Sequence, residues 1–525
     1  MVLDTNIPTA GLAADDSRDA ALIAELERYV PEVMRVTGTP GLNLALARGD
    51  RVIWEAGFGY ADLAAATPMT PRTVGRAGSM AKTYTAIAFL QLVELGVLEL
   101  FDPVVRHLPA PRVVNPLGER EITIYDLLTF HSGLVRDTLE ARAAPIDPDA
   151  YVEQSLREDA RREYGGASSR WSARVGEQSQ YSSFGYAILA RLFKEVSPGG
   201  ASLGEWVARH VFEPLGMTSS ALPEVDDEQH VPEHVRARRS TGYARFGSVY
   251  VPCPTLYTGS YAGSGLQTTP GDHLRVLRAL AGGGAIDGQR ILEPESVRRM
   301  LTVQRFADEA ERRWGAVTQQ GIGVEIGNVG RADQHFGRNG AYPWGWWSSA
   351  RVYPRQGFAI AVMTNKWDMS GWMNPDSRTA GGLIADFTSA LMRRTASRPP
   401  AERTWGWRHS YAVGLLMGER IAALLGVPER LDAATIARMA AEARVLLAPA
   451  DDESWDEDGF RAGVEEIAAC DPSPAALRAF QRSDVLRVAP EELQLHWLAI
   501  GSHGRSPIPL GFYAAAVEEA ERAGR

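Results

Sequence analysis

The spacing of apolar residues changes period several times along the chain. Over residues 16–36, Leu22, Ile23, Leu26 and Val30 fall on one side of a helix. Residues 42–47 and 52–57 are short apolar strands around Arg48-Gly49-Asp50, a hairpin turn. Helical spacing returns with Ala86, Phe89, Leu90 and Val93, and Gly96 is placed to end that helix. From 102 to about 254 the pattern is mixed and largely helical. Helices are predicted from Ile124, stopped by His131-Ser132-Gly133, and over 186–196 and 203–211. Residues 224–239 are charged and read as an exposed loop or a lid. Thr269 caps a helix reaching Leu280. After Gly315 the period is that of strands, at 322–326, 334–336, 346–353 and 358–364, and a helix over 379–392 follows.

This order puts a helical region between two sets of strands that must share one sheet. The expected fold is therefore α/β (α+β), with a helical region inserted between the two parts of the sheet. Residues 396–402 (Ala-Ser-Arg-Pro-Pro-Ala-Glu) have linker composition. Residues 1–395 then form the main domain, although 1–15 read as a loose arm. Residues 403–525 form a C-terminal helical region, with helices predicted at 412–425, 433–447, 458–469, 474–481, 491–500 and 511–523. Helices this short must pack on something, either in a mutual bundle or by docking near the cleft onto the main domain or a second subunit, and docking is the expectation.

Composition narrows the classes. A chain of 525 residues with 45% hydrophobic and 23% charged residues is an ordinary globular protein with more than one core. A net charge of -10 argues against nucleic acid and anionic membranes as partners. Cys253 and Cys470 are too few and too far apart for a disulfide framework or a metal cluster. No apolar run approaches the ~20 residues of a membrane span. No basic, apolar-run leader opens the chain, so a cytoplasmic location is the default expectation.

Candidate chemistry centres on Gly78-Ser79-Met80-Ala81-Lys82. The helix that follows places Ser79 near its N-terminus, where serine is favoured as a cap, and Lys82 within reach one turn on. A serine hydroxyl needs a base beside it to act as a nucleophile. Among 55 Lys+Arg residues only Lys82, Lys194 and Lys366 are lysines. Lysine can give up its proton and arginine cannot, so a rare lysine beside a serine suggests proton transfer.

Gly78-Ser79-Met80-Ala81-Lys82-Thr83-Tyr84-Thr85-Ala86 resembles the nucleophile motif of the serine beta-lactamase and penicillin-binding-protein superfamily, with its Ser-x-x-Lys signature. The likeness is to the class C branch, with its esterase, D-aminopeptidase and acyltransferase relatives. Residues 95–104, 122–134, 181–189, 212–217 and 263–270 support it, so the resemblance spans roughly 20–395. It implies the beta-lactamase/transpeptidase-like fold: an antiparallel sheet flanked by helices plus an inserted helical subdomain, with a cleft between sheet and subdomain. It also implies that Tyr181 stands where the family's Tyr-x-Asn tyrosine does, moving protons beside Lys82, with Ser183 replacing the asparagine. The third motif, Lys/His-x-Gly, falls on Arg338-Asn339-Gly340, or in a shifted register on His335-Phe336-Gly337. In the first register Arg338 offers a fork to a substrate carboxylate. The oxyanion hole is then the backbone N–H groups of Ser79 and Ala341. Tyr342 and Trp344, in an aromatic run with Trp346 and Trp347, are candidates for a wall against an apolar acyl group.

The expected activity is that of a serine hydrolase cleaving an ester or amide bond in a small molecule or short peptide. It needs no metal or organic cofactor. Acyl transfer through the same acyl-enzyme is the alternative within enzymes. A binding scaffold on an inactive hydrolase fold is the alternative outside them, and the intact Ser79, Lys82 and Tyr181 argue against it. Homo-oligomer formation is left open.

Overall fold

The computed structural model describes residues 17–134, 141–142, 145, 147–157, 171–225, 229–246, 249–253, 257–304, 318–327, 334–342, 345–354, 356–366, 380–393, 432–447 and 456–470. The expected arm, the linker, four of the C-terminal helices and Trp344 lie outside the described residues.

The chain opens with helix α1 (Ser17–Thr37) and the hairpin β1 (Gly41–Arg48) and β2 (Arg51–Asp62). The short strands β3 (Thr67–Pro68) and β4 (Gly75–Gly78) lead into helix α2 (Ala81–Glu94). In the helical region, α3 (Ser183–Val196) and the single turn α4 (Tyr261–Ser264) matter most for the site. Strand β5 (Leu266–Thr268) and helix α5 (Pro270–Ala281) then return the chain to the sheet. The remaining strands are β6 (Thr318–Gln320), β7 (Glu325–Gly327), β8 (His335–Tyr342), β9 (Trp346–Tyr353) and β10 (Phe358–Thr364). Helices α6 (Ala380–Arg393), α7 (Ala433–Leu447) and α8 (Glu457–Cys470) complete the description.

Eight strands form one sheet in the order β6-β7-β8-β9-β10-β1-β2-β3. Each neighbouring pair is antiparallel. The N-terminal hairpin thus joins the C-terminal strands through β1 and β10, as the split strand pattern required. Side-chain size sorts the two faces. Leu42, Leu44 and Leu46 of β1, with Ile360 and Val362 of β10, face a cluster that includes α1 and α6, where Tyr29 stacks on Phe387 at 3.9 Å. Ala45, Ala47, Ala359 and Ala361 face the opposite cluster. Period-two alternation fixes which residues meet which layer, and the small side chains let α5 lie close to β1 and β10.

Several elements differ from the sequence-based expectation. Of the strand read over 322–326, residues 322–324 belong to a turn that packs on α2, and only Glu325 and Ile326 are in a strand, β7, which pairs with β6 just before the turn. The strand read over 334–336 extends to Tyr342, because Gly337 and Gly340 sit inside the ladder. Gly340 is required there: a Cβ would fall 1.9 Å from the Ala77 carbonyl oxygen. The 224–239 stretch is anchored in its described part. Val231 and Val235 are buried with Val74 and Ala221, and the Val74 N–H donates to the Arg238 carbonyl at 2.8 Å. Helices α7 and α8 occupy the two expected positions, and Ala462 of α8 packs against the cluster of α1 and α6. That cluster lies on the sheet face away from Ser79, so this contact is not over the cleft. Among the described residues no helix is long and apolar enough to cross a membrane.

Candidate active site

Ser79 is held at the junction of β4 and α2. Gly78, at φ +54°, makes the turn, and a Cβ there would lie 2.3 Å from the carbonyl oxygen of Ala341. Only glycine tolerates both the positive φ and this approach. The helix cap is Met80, with no side-chain cap bond, so Ser79 is not a cap as its position suggested. Its hydroxyl is free for another partner. That partner is Tyr181, whose Oη lies 2.5 Å from Ser79 Oγ.

Lys82 follows one turn on and is fully buried, whereas Ser79 is partly exposed. Its Nζ donates to the Gly263 carbonyl at 2.8 Å, to Ser183 Oγ at 3.3 Å and to Ser79 Oγ at 3.5 Å. It also sits 4.6 Å from the centre of the Tyr181 ring and 5.2 Å from that of Tyr186. The other two lysines have different surroundings. Lys194 makes exposed ion pairs with Asp149 and Glu224, and Lys366 Nζ donates to the Thr37 carbonyl at the end of α1.

Tyr181 precedes α3, whose cap is Ser182, accepting from Gly185 N–H at 3.3 Å. Ser183 is the first residue of the helix and points back at Lys82. Ser260 Oγ donates to the Ser183 carbonyl at 2.6 Å, tying α3 to the turn that offers the Gly263 carbonyl. On its other side the Tyr181 ring lies 4.8 Å from Phe130, a non-glycine residue at φ +65°. The Phe130 carbonyl accepts from Gln180 N–H at 2.9 Å, which fixes the approach to Tyr181. Burial acts to raise the Tyr181 phenol, but Lys82 and then Arg338 oppose it, with hydrogen bonds from Lys82 and Ser79. The balance lies below the ordinary tyrosine value. Tyr186 is pushed up by burial and stays neutral.

Strand β8 closes the site. Arg338 Cζ lies 5.9 Å from the Tyr181 ring centre. His335 faces away and packs on Tyr353 at 5.0 Å. Of the two registers open in the sequence, the Arg338 one is next to the serine. The Arg338 side chain is 0% exposed. Its neighbour toward the serine is Tyr181, and the expected direct grip on a substrate carboxylate does not fit this burial. Asn339 accepts from Ser349 Oγ at 2.7 Å, an ordinary sheet contact. Ser348 Oγ donates to the carbonyls of Ala77 and Gly340, at 3.1 Å each, and clasps β4 to β8. The Ala341 backbone is thereby fixed against Gly78, the residue before Ser79. Tyr342 is buried beneath Arg76, 4.7 Å from its ring centre, and edge-on to Trp346. This pair supports the strands and offers little surface for an acyl group.

The comparisons with known proteins bear on family and fold. Residues 26–380 match the family model Beta-lactamase. The chain belongs to the beta-lactamase family. Among solved structures it is similar to the octameric penicillin-binding protein homologue from Pyrococcus abyssi (TM-score 0.52, 24% identity, 65% of this chain and 73% of that one). It is also similar to the D-amino acid amidase from Ochrobactrum anthropi SV3 (TM-score 0.51, 21% identity, 65% and 91%). A third is the class C beta-lactamase from Rhodobacter sphaeroides (TM-score 0.51, 19% identity, 68% and 97%). At these identities the likeness speaks for the fold. The chain spans less than two thirds of the curated relatives it matches: Mycobacterium tuberculosis proteins, 31% identical over 283 residues, are covered over 65% of their length.

Three contributors were not singled out by sequence reasoning. Gly263 acts through its backbone carbonyl, which no side chain advertises. Phe130 lay inside a stretch that carried the family resemblance but had no role there. Glu325, 3.9 Å from Arg338, comes from a strand of only three residues with no motif around it.

Proposed function

We propose that this protein is a serine hydrolase that cleaves an ester or amide bond through an acyl-enzyme on Ser79. The observation that carries this reading is the 2.5 Å contact between Ser79 Oγ and Tyr181 Oη, with Lys82 Nζ behind both. Ser79 Oγ attacks the substrate carbonyl carbon, and its proton passes to Tyr181. The developing oxyanion is met by the N–H groups of Ser79 and Ala341. As the tetrahedral intermediate collapses, Tyr181 returns the proton to the departing alcohol or amine. Water then attacks the acyl carbon, loses its proton to Tyr181, and Ser79 leaves with that proton.

Lys82 serves as the fixed cation of this cycle, in place of the proton-transfer role that its rarity suggested. The Gly263 carbonyl can only accept, so one Nζ hydrogen is committed to it, and the longer bond to Ser79 leaves Tyr181 as the nearer proton acceptor. Ser183 supports Lys82 from within the protein, and this burial leaves it poorly placed to read a substrate amide. We assign the chemistry to residues 1–395, acting on small molecules or short peptides, with 403–525 as an accessory helical region.

The test is a panel of p-nitrophenyl esters, D- and L-aminoacyl anilides and nitrocefin, assayed with the full chain and with Ser79→Ala. Turnover of at least one ester or amide that is lost in the variant supports the reading. Turnover equal in both would refute it.

A further inference from the structure

Arg338 presents a problem of charge. Its guanidinium is fully buried, and its Nε, Nη1 and Nη2 have no hydrogen-bond partner among the described residues. A buried cation left uncompensated is strongly destabilising. The carboxylate paired with it is Glu325, with Oε1 3.9 Å from Arg338 Nη2 and a side chain 20% exposed. The second oxygen, Oε2, accepts from Asn339 N–H at 3.4 Å, which holds the carboxylate against β8. The turn before Glu325 is fixed as well: Thr83 Oγ1, next to Lys82, donates to the Gly323 carbonyl at 2.9 Å. Glu325 is thus held at one end of a line that runs through Arg338 and Tyr181 to Ser79.

We propose that Glu325 is a positioning residue that, through Arg338, sets the positive field felt by the Tyr181 hydroxyl. This inference rests on Tyr181 being the proton-transfer group. Tyr181 is faced by Lys82 from α2, by Arg338 from β8 and by Tyr186 from α3. Arg338 is faced by Glu325, Tyr181 and Tyr186. Tyr186 is neutral, so Glu325 is the negative charge in this set that can offset the two cations. With its full charge and a pairing looser than a hydrogen bond, Glu325 damps the pull of Arg338 on the phenolate without cancelling it. The sign follows. Removing the negative charge strengthens the field and makes Tyr181 easier to ionise. Removing the positive charge does the reverse. Opposite displacements by two neighbouring residues are not what a structural role produces, since loss of packing lowers rate for both without moving a titration.

The experiment needs no knowledge of the substrate. The second-order rate constant for modification of the enzyme by a fluorophosphonate is measured from pH 5 to 10 on the full chain, with the adduct followed by intact mass. Glu325→Gln is expected to move the acid limb to lower pH by roughly 0.5–1 unit, and Arg338→Gln to higher pH by about 1 unit or more. Arg338→Lys, which keeps the charge, should stay near wild type. If Arg338→Gln does not fold, Glu325→Gln alone decides. An acid limb unmoved by Glu325→Gln, or moved to higher pH, overturns the proposal. Tyr181→Phe separates this from the underlying reading: if that variant keeps the limb, the limb belongs to another group and Tyr181 has been misassigned. If the limb disappears with Tyr181→Phe yet stays fixed in Glu325→Gln, only the role of Glu325 fails.

Discussion

Ser79 Oγ and Tyr181 Oη meet at 2.5 Å although 102 residues of chain separate them. The contact needs the Gly78 turn on one side and the Phe130-anchored approach to α3 on the other. Tyr181→Phe keeps the ring against Phe130 and removes only the hydroxyl. We expect kcat on any accepted ester to fall about 10²–10⁴-fold, the usual worth of a positioned proton-transfer group. KM should change little. Steady-state kinetics check this, and a loss of only a few fold would remove Tyr181 from the proton path.

Lys82→Arg keeps the charge but not the geometry. The Lys82 ammonium fits among Gly263, Ser183 and Ser79, whereas a planar guanidinium is larger and directs its donors differently. Activity is expected to drop by about 10²-fold or more, while thermal unfolding still shows a folded protein. Near-normal kcat would mean that any cation at this position suffices.

The part of the site formed by near neighbours was legible in the sequence. Ser79 and Lys82 are one helical turn apart, so spacing alone placed them together. The β1–β2 hairpin was legible from two short apolar runs around the Arg48-Gly49-Asp50 turn. Tyr181 could be placed only by family resemblance, because no local pattern says that a residue 102 positions away returns to the serine. Glu325 was invisible for the same reason and because β7 is only three residues long. Strand β8 was read short because Gly337 and Gly340 interrupt the apolar alternation, yet those glycines are what permit close contact with neighbouring backbone. The charges of 224–239 hid Val231 and Val235, which anchor that segment. Lysine scarcity drew attention to Lys82, which lies 3.5 Å from Ser79 Oγ, and gave no hint that Lys366 holds the end of α1.

Stability should carry a signature of His273. This residue is buried on α5, its Nδ1 is 2.9 Å from Tyr84 Oη, and burial lowers its pKa from 6.5 to about 4. The unfolded chain takes up the proton first as pH falls. The stabilisation is therefore complete above about pH 6.5 and is lost progressively toward pH 4, by at most about 3 kcal/mol. Glu55 and Asp272 work in the opposite sense, since burial raises both and their protonation favours the folded form. The comparison must therefore be made against a His273 variant. His273→Asn keeps an acceptor for Tyr84 and does not titrate. Chemical denaturation should show a penalty for the variant at pH 7.5 that shrinks by pH 4.5. A constant penalty would contradict the assignment.

The C-terminal region is tested by truncation after Arg398. Ala462 packs against the cluster of α1 and α6, so its removal uncovers apolar surface on the face away from the serine. The 1–398 chain should melt lower, by about 2–4 °C for each kcal/mol lost, and should associate more readily, with kcat largely kept. Calorimetry and light scattering check this. Unchanged melting and association would mean that 403–525 is an independent appendage.

The central claim is that Ser79 is the nucleophile. The direct measurement is to react the native full chain with a fluorophosphonate, digest it and map the adduct by mass spectrometry. The account predicts one stoichiometric adduct on the peptide bearing Ser79, abolished by prior unfolding and absent in Ser79→Ala. An adduct on another residue, or equal labelling of Ser79→Ala, would contradict it.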